Sequence, residues 1–231
     1  MPDAPSASTQ PSSALSSSMQ DYLKVIWTSQ EWDDTTISSK ALADRFGVTP
    51  STVSEALKKL AAQGLLDHQR YGAVTLTAAG REAALAMVRR HRLVETFLVE
   101  YLGYAWDEVH DEAEVLEHAV SDDFVERLAE RLGHPEFDPH GDPIPTADGR
   151  VPTLDAGRLV DVEAPADLVV VRVSDDDPAL LRHLVDLGLV LGARVHLAER
   201  HDFAGTLAVR IDGRTLDVGH VAAEAIFVSP S

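Results

Sequence analysis

The chain has 231 residues, 45% of them hydrophobic and 25% charged, which allows a buried core in one large domain or in two to three small ones. It contains no cysteine, which excludes disulfide bonds, thiol catalysis and cysteine zinc sites. No apolar run approaches the roughly 20 residues of a membrane-spanning helix, so we expect no membrane partner and a cytoplasmic location.

The net charge of −18 is unevenly distributed along the chain. Residues 18–95 hold 10 Lys or Arg and 9 Asp or Glu, whereas residues 96–231 hold 10 and 28. The acidic excess therefore lies in the second part, and a DNA-binding surface remains compatible with the first. Residues 1–17 are rich in Ser, Pro and Ala without Lys or Arg, and we predict a disordered tail there.

Three helices are predicted at residues 19–30, 38–46 and 50–63. Gly47 ends the second helix, and Thr49 caps the third, which has Pro50 at its first position. Two short helices around such a turn are typical of a helix-turn-helix, whose second helix enters the major groove of DNA. Lys58 and Lys59 on that helix would lie near phosphates.

A β-hairpin follows, with strands in residues 65–77 and a turn at Tyr71-Gly72. A hairpin in this place is typical of the wing of a winged helix-turn-helix. The alternative is a small helical domain that binds another protein.

The next three predicted helices, at 78–102, 105–119 and 121–132, carry the His and Glu residues whose spacing is that of metal ligands. His91 and Glu95 share a face of the first. In the run His110-Asp-Glu-Ala-Glu-Val-Leu-Glu-His118, residues three and four apart share a face, so Glu114, Glu117 and His118 point the same way. Carboxylates and imidazoles without thiolates suit a hard or borderline divalent cation. The alternative is a solvated acidic helix face.

The region from Gly133 to about Gly157 is rich in Pro, Gly and Asp, which predicts a loop or linker with His134 and His140 at the surface. After about Leu159, short β-branched runs interrupted by one helix at 178–187 predict a small barrel. The triplet Asp175-Asp-Asp177 precedes this helix and would cap it or reach toward a metal.

The order of these parts resembles the diphtheria-toxin-repressor family of metal-dependent transcriptional regulators. The resemblance rests on the winged helix, on His91-Arg-Leu-Val-Glu95, on the run from His110 to His118 and on Asp142-Pro-Ile-Pro. It implies a mainly α fold with a β component: a winged helix-turn-helix (18–81), a helical metal-binding and dimerisation domain (82–137), a linker (138–158) and an SH3-like, FeoA-type small β-barrel (159–231).

The resemblance also implies the site residues. Two metal sites are expected, one made by Asp21, Glu114, Glu117 and His118, the other by His91, Glu95 and His110 with Asp175 or Asp176. The bases of a double-stranded, palindromic DNA operator would meet Thr49, Ser51, Thr52 and Glu55. Its phosphates would meet Ser38, Ser39 and Ser54, and Tyr71 would add a contact from the wing.

The family has an iron branch and a manganese branch. The iron repressors have a Met early in the first helix and a Cys in the later motif, where this chain has Asp21 and Glu114. Replacing sulfur by oxygen favours Mn²⁺, with Fe²⁺ as the alternative. Some manganese regulators have a Glu where this chain has Lys24, so their two-metal arrangement does not carry over directly.

The sequence therefore predicts a homodimeric, Mn²⁺-activated DNA-binding repressor of metal homeostasis, acting on metal-uptake genes, and not an enzyme. Metal binding would favour the conformation that binds DNA. The alternatives are an Fe²⁺-dependent repressor, a metal-dependent hydrolase, since His, Glu and Asp clusters also activate water, and a metal-storage or protein-interaction module.

Overall fold

A computed structural model describes residues 15–32, 36–68 and 74–231. The chain divides into two compact units. The first comprises Met1–Arg90 with Pro145–Arg150, and the second comprises His91–Ile144 with Val151–Ser231.

The first unit is built on three helices and a hairpin: α1 (Ser17–Thr28), α2 (Ser39–Phe46), α3 (Pro50–Ala62), β1 (Leu66–His68) and β2 (Val74–Leu76). Its core is made by apolar side chains of all five elements that are at most 7% exposed: Tyr22, Leu23, Ile26, Trp27, Leu42, Val53, Leu57, Leu60, Leu66 and Val74. The Tyr22 and Phe46 rings lie 4.5 Å apart, and burial raises the pKa of the Tyr22 hydroxyl.

The predicted helix signals are confirmed in this unit. The Thr49 hydroxyl accepts a hydrogen bond from the Thr52 amide at the start of α3, and Gly47 ends α2 in the left-handed conformation. Strands β1 and β2 are antiparallel, as a wing requires. The predicted turn at Tyr71-Gly72 lies outside the described residues.

Helix α4 (Ala78–Leu102) has the predicted bounds and begins in the first unit. Gly80 is needed at its first turn, because a Cβ there would lie 1.9 Å from the carbonyl oxygen of Leu65. Helix α4 also carries the basic run Arg89-Arg-His-Arg92, whose sequence predicts either a contact with the DNA backbone or a solvated face; of its three arginines, two are buried. Arg89 is buried and donates to the carbonyl oxygen of Pro145, and Arg92 is buried likewise.

In the second unit, the end of α4 is followed by α5 (Val109–Leu116) and α6 (Asp122–Arg131). The prediction of a helix at 105–119 was too long, because residues 106–108 and 117–119 form turns. Ser121 caps α6 through the Phe124 amide, as predicted. These helices bury one apolar cluster, made by Leu93, Val94, Leu98, Val109, Ala113, Val125, Leu128, Ala129 and Ile144.

The rest of the second unit is a six-stranded antiparallel sheet in the order β3-β8-β4-β5-β6-β7. The strands are β3 (Gly157–Arg158), β4 (Ala166–Val173), β5 (Arg194–His201), β6 (Thr206–Ile211), β7 (Arg214–Gly219) and β8 (Ile226–Pro230). A short 3-10 helix (Leu159–Asp161), α7 (Pro178–Leu187) and α8 (His220–Glu224) complete it. A second apolar cluster forms the core of this sheet and its helices, which together are the small barrel that the sequence predicts.

Sequence reasoning anticipated α7 with its bounds, and the predicted β-branched runs correspond to β4, β5, β6 and β8. It missed β3, β7 and α8. The side chain of Asp177 caps α7 through the Ala179 and Leu180 amides. In the described ranges, no helix combines the length and hydropathy that a membrane crossing requires.

Candidate metal centre

Glu95 is the centre of a cluster of imidazole and carboxylate groups in the second unit. It is fully buried on α4, where its Oε1 lies 3.0 Å from Nε2 of His91, one helical turn earlier. His110, on α5, brings its Nδ1 within 3.3 Å of the same oxygen. The three helical residues that the family resemblance implies for the second metal site are therefore together.

His91 also joins this group to the other predicted ligands. Its Nδ1 lies 2.6 Å from Oε2 of Glu117, which is fully buried just after the end of α5. Nε2 of His118 is 3.5 Å from Oε1 of Glu117, and Glu114 Oε1 is 3.7 Å from Nε2 of His110. Helical spacing anticipated the shared face of these residues but not the contact between His91 and Glu117.

Of the two barrel carboxylates expected as ligands, Asp175 enters the cluster. Its Oδ2 lies 3.3 Å from Nδ1 of His110. Asp176 is exposed, and its Oδ2 accepts a hydrogen bond from the Ser174 hydroxyl.

His140 was predicted at the surface, and that prediction was wrong. His134 is exposed, but His140 is fully buried and groups with Glu95 and Asp175. Its Nε2 lies 2.9 Å from the carbonyl oxygen of Trp106, which can only accept, so Nε2 carries a proton and Nδ1 is the nitrogen left for a cation. The loop sequence gave no signal of this burial, which depends on the fold around it.

The charges of the cluster stabilise one another. Burial alone raises the pKa of Glu95, but the charge of His91 and hydrogen bonds from His110 and His91 lower it to about 2. Burial alone lowers the pKa of His110, but Asp175 and Glu95 raise it to about 10. The pKa of Asp175 falls well below its usual range, because contacts with His110 outweigh its burial.

The donor atoms of the second unit form three overlapping groups, each with its atoms within 4.8 Å of one another: His91, Glu95 and His110; His91, Glu114 and Glu117; and Glu95, His140 and Asp175. Two buried donor atoms, Oε2 of Glu95 and Nδ1 of His140, have no hydrogen-bond partner in the part of the chain that the structure describes. Buried polar atoms are normally satisfied, so these two fit ligands for a cation. Oxygen and imidazole nitrogen donors suit Mn²⁺ or Fe²⁺.

The remaining predicted residues lie in the first unit. Asp21 is half-buried on α1. The predicted DNA contacts on and before α3 are exposed: Ser38, Thr49, Ser51, Thr52, Glu55, Lys58 and Lys59. Ser39 and Ser54 are partly exposed, and Tyr71 lies outside the described residues. The Thr49 hydroxyl also bonds those of Ser51 and Thr52, at 2.8 Å and 2.9 Å.

Comparison with known protein families matches three consecutive parts of the chain. Residues 14–74 match the N-terminal DNA-binding domain of iron-dependent repressors. Residues 77–146 match the metal-binding and dimerisation domain of the same proteins. Residues 158–230 match the FeoA domain, so the predicted three-part fold class is confirmed.

Known relatives agree over most of the chain. The iron-dependent repressor IdeR of Mycobacterium leprae (strain TN) is 32% identical over 220 residues, which are 90% of this chain and 94% of the relative. IdeR of Mycobacterium tuberculosis (strain ATCC 25618 / H37Rv) is 36% identical over 186 residues, 75% of this chain and 80% of the relative.

Solved structures of similar proteins include manganese-dependent ones. One manganese-dependent transcriptional repressor in complex with manganese is 56% identical, with a TM-score of 0.88 over 92% of this chain and 100% of that chain. The manganese regulator SloR is 36% identical, with a TM-score of 0.79 over 92% of this chain and 98% of that chain. The chain therefore belongs to the iron-dependent repressor family of metal-dependent, DNA-binding transcriptional repressors.

Proposed function

We propose that this chain is a Mn²⁺-activated repressor of metal-uptake genes that acts in the cytoplasm as a homodimer on a palindromic operator. The observation that carries the proposal is the convergence of imidazole and carboxylate donors on Glu95, including two buried donor atoms without a protein partner among the described residues.

The proposed ligands of the second unit come from four segments. His91 and Glu95 are held by α4, and His110, Glu114, Glu117 and His118 are held by α5 and the turn after it. The barrel adds Asp175, and the preceding loop adds His140. A divalent cation bound there supplies positive charge that offsets the mutual repulsion of the carboxylates.

Two arguments favour Mn²⁺ over Fe²⁺. The chain has no thiolate, and hard oxygen donors suit Mn²⁺, which is low in the affinity order of divalent metals. Of the two solved structures described above, one is a manganese-dependent transcriptional repressor in complex with manganese, and the other is a manganese regulator. The relatives named IdeR are iron-dependent, so Fe²⁺ is the alternative.

The family resemblance adds Asp21 on α1 as a further proposed ligand. Its carboxylate would link the DNA-binding module to metal binding, because the state with every ligand engaged would be the state that binds DNA. If Asp21→Ala leaves metal-dependent DNA binding intact, this linkage is wrong.

The homodimer is supported by large apolar side chains that the helices of the second unit leave exposed. Tyr101 and Leu102 at the end of α4 are 45% and 59% exposed, Val115 on α5 is 70% exposed, and Phe124 on α6 is 45% exposed. A two-fold dimer pairs two recognition helices, which is how such proteins read palindromic operators.

The test is fluorescence anisotropy of promoter fragments with metal-stripped protein, titrated in parallel with Mn²⁺, Fe²⁺ (without oxygen) and Zn²⁺ at one fixed salt concentration. Salt is fixed because phosphate contacts make the affinity strongly salt-dependent. We expect sequence-selective binding with Mn²⁺ at concentrations where Fe²⁺ fails. If Fe²⁺ activates DNA binding equally, the proposed activating metal becomes iron. If no metal changes the affinity for any fragment, the proposed repressor function is refuted.

A matched pair of variants on one segment sharpens this test. Glu117→Gln removes the charge of a buried proposed ligand while keeping its size, and we expect it to abolish activation by Mn²⁺. Asp111→Asn removes the charge of an exposed carboxylate on α5 and should behave like the unmodified protein. If Mn²⁺ activates DNA binding equally in the two variants, Glu117 is not a ligand.

A further inference from the structure

The loop that carries His140, residues 138–143, is held by side chains that are not themselves proposed ligands. Within the loop, Oδ1 of Asp138 accepts hydrogen bonds from the amides of His140 (2.8 Å) and Asp142 (2.9 Å). Asp138 and Asp142 are both buried, so their carboxylates need partners.

Two buried arginines, one from the helical part and one from the barrel, meet the Asp142 carboxylate. Nε of Arg172, on β4, lies 2.7 Å from Oδ1 of Asp142, and Nη2 of Arg92, on α4, lies 3.4 Å from the same atom. Nη1 of Arg92 also donates to the carbonyl oxygen of Pro143 at 2.7 Å. Arg172 lies three residues before Asp175, so this pair ties the His140 loop to the strand that leads to Asp175.

Trp106 holds the loop from a third side. Its indole Nε1 donates to the carbonyl oxygen of Pro139 at 2.7 Å, and its own carbonyl oxygen accepts from His140 Nε2. The indole and imidazole rings are stacked with centroids 5.5 Å apart. These contacts fix both the orientation of the imidazole and the nitrogen that carries its proton.

The backbone leaves the loop little freedom. The Val173 amide donates to the carbonyl oxygen of His140 at 2.9 Å. A Cβ on Gly141 would lie 2.2 Å from the carbonyl oxygen of Val171, so the loop lies directly against β4. The loop that places His140 beside Glu95 and Asp175 is thus held by its backbone as well as by side chains.

We propose that Trp106 and the Asp142–Arg172 ion pair are positioning residues for the cation site at Glu95, His140 and Asp175. They would hold Nδ1 of His140 in its ligand orientation before any cation binds. The inference rests on the proposed function, since it takes His140 as a ligand. Outer-shell partners of this kind orient metal-binding histidines, and their loss typically weakens binding about 10–100-fold.

The experiment counts bound Mn²⁺ and measures its affinity in the full chain, from the electron paramagnetic resonance signal of free Mn²⁺. Trp106→Phe keeps an aromatic ring and removes the N–H donor, and Arg172→Gln removes the ion pair. We expect each variant to weaken Mn²⁺ binding at one class of site about 10-fold or more, while the affinity of the other class of site is unchanged. Arg172→Lys, which keeps the charge, should recover much of the loss.

Arg200→Gln is the matched control, because it removes a barrel arginine that donates to the carbonyl oxygens of Val160 and Val162 and contacts no proposed ligand. It should bind Mn²⁺ like the unmodified chain. Thermal unfolding without metal identifies variants that fail to fold. If Arg172→Gln is one of them, Trp106→Phe decides.

His140→Gln separates the two levels of the proposal. If His140→Gln abolishes Mn²⁺ binding at one class of site while Trp106→Phe and Arg172→Gln bind Mn²⁺ normally, His140 is a ligand but the positioning role of the other two residues is refuted. If His140→Gln leaves every class unchanged, His140 is not a ligand, and the positioning role falls with it.

Discussion

At the scale of single residues, Glu95 is the carboxylate on which the proposed metal centre depends most. It belongs to two groups of donor atoms, one with His91 and His110 and the other with His140 and Asp175. A fully buried carboxylate with a pKa of about 2 is charged at neutral pH, and that charge is stabilised by its histidine neighbours.

Glu95→Gln keeps the shape of this side chain and removes its charge. Loss of a residue that only supports a ligand typically weakens metal binding about 10-fold or more. Because Glu95 is proposed as a ligand itself, we expect the Mn²⁺ affinity to fall by more than about 10-fold. Glu100→Gln, at an exposed position of the same helix, is the control and should leave the affinity unchanged. Titration calorimetry measures both, and equal affinities would show that Glu95 is not a ligand.

Gly141 has a positive φ of 89° and no room for a Cβ, and Gly213 has a φ of 76° with no atom within 4 Å of its Cβ position. Gly213→Ala should therefore lower the free energy of unfolding by only the backbone penalty, about 1–2 kcal/mol. Gly141→Ala should lower it by roughly 1–3 kcal/mol more, as in other overpacked sites. Denaturant unfolding compares them, and equal losses would contradict the close approach of the loop to β4.

Residue types and helical spacing were sufficient to select six proposed ligands of the second unit, and the family resemblance added Asp175. They were not sufficient for His140, because its burial depends on Trp106, Arg92 and Arg172, which are distant in sequence. Arg92 and Arg89 likewise donate to the distant carbonyl oxygens of Pro143 and Pro145, which is why both are buried. Local patterns report neighbours three and four residues apart and say little about a loop.

At the scale of elements, the predicted recognition helix α3 exposes Lys58 and Lys59. If they contact phosphates, Lys58→Gln and Lys59→Gln should each reduce the steepness of log affinity against log salt by about 1, with similar losses on all DNA sequences. Arg127→Gln, at an exposed site on α6, should leave the slope unchanged. Anisotropy at several salt concentrations measures the slope, and identical slopes would exclude both lysines from the interface.

The exposed apolar side chains of α5 and α6 are predicted to lie in the dimer interface. Val115→Ser or Phe124→Ser should raise the dimer dissociation constant about 10-fold or more, as for other anchor residues. Phe203→Ser is the control, since Phe203 is 97% exposed and lies in the six-stranded sheet part of the second unit, not on α5 or α6. Sedimentation equilibrium gives the constants, and an effect confined to Phe203→Ser would place the interface elsewhere.

Element bounds were predictable where the sequence carries a cap or a stop. Thr49 with Pro50 marked the start of α3, and Gly188 ends α7 in the left-handed conformation. The bounds of α5 were not predictable, because residues 117–119 continue its polar pattern as a turn. Strand β7 was missed since its short polar run becomes a strand only by pairing with β6.

At the scale of the whole molecule, the order of domains was predictable from the sequence, and the family matches confirm it. The acidic excess lies after residue 95, apart from the predicted DNA-binding helix. We propose that metal binding and DNA binding favour the same state of the chain. Such coupling is reciprocal, so each ligand must raise the affinity for the other by the same factor.

The most direct measurement of this claim is the Mn²⁺ affinity of the full chain with and without the promoter fragment that it binds most tightly. We predict that the fragment raises the Mn²⁺ affinity by the same factor by which Mn²⁺ raises the affinity for the fragment, typically about 5–150-fold. A Mn²⁺ affinity that does not change when the fragment is bound would contradict metal-activated DNA binding.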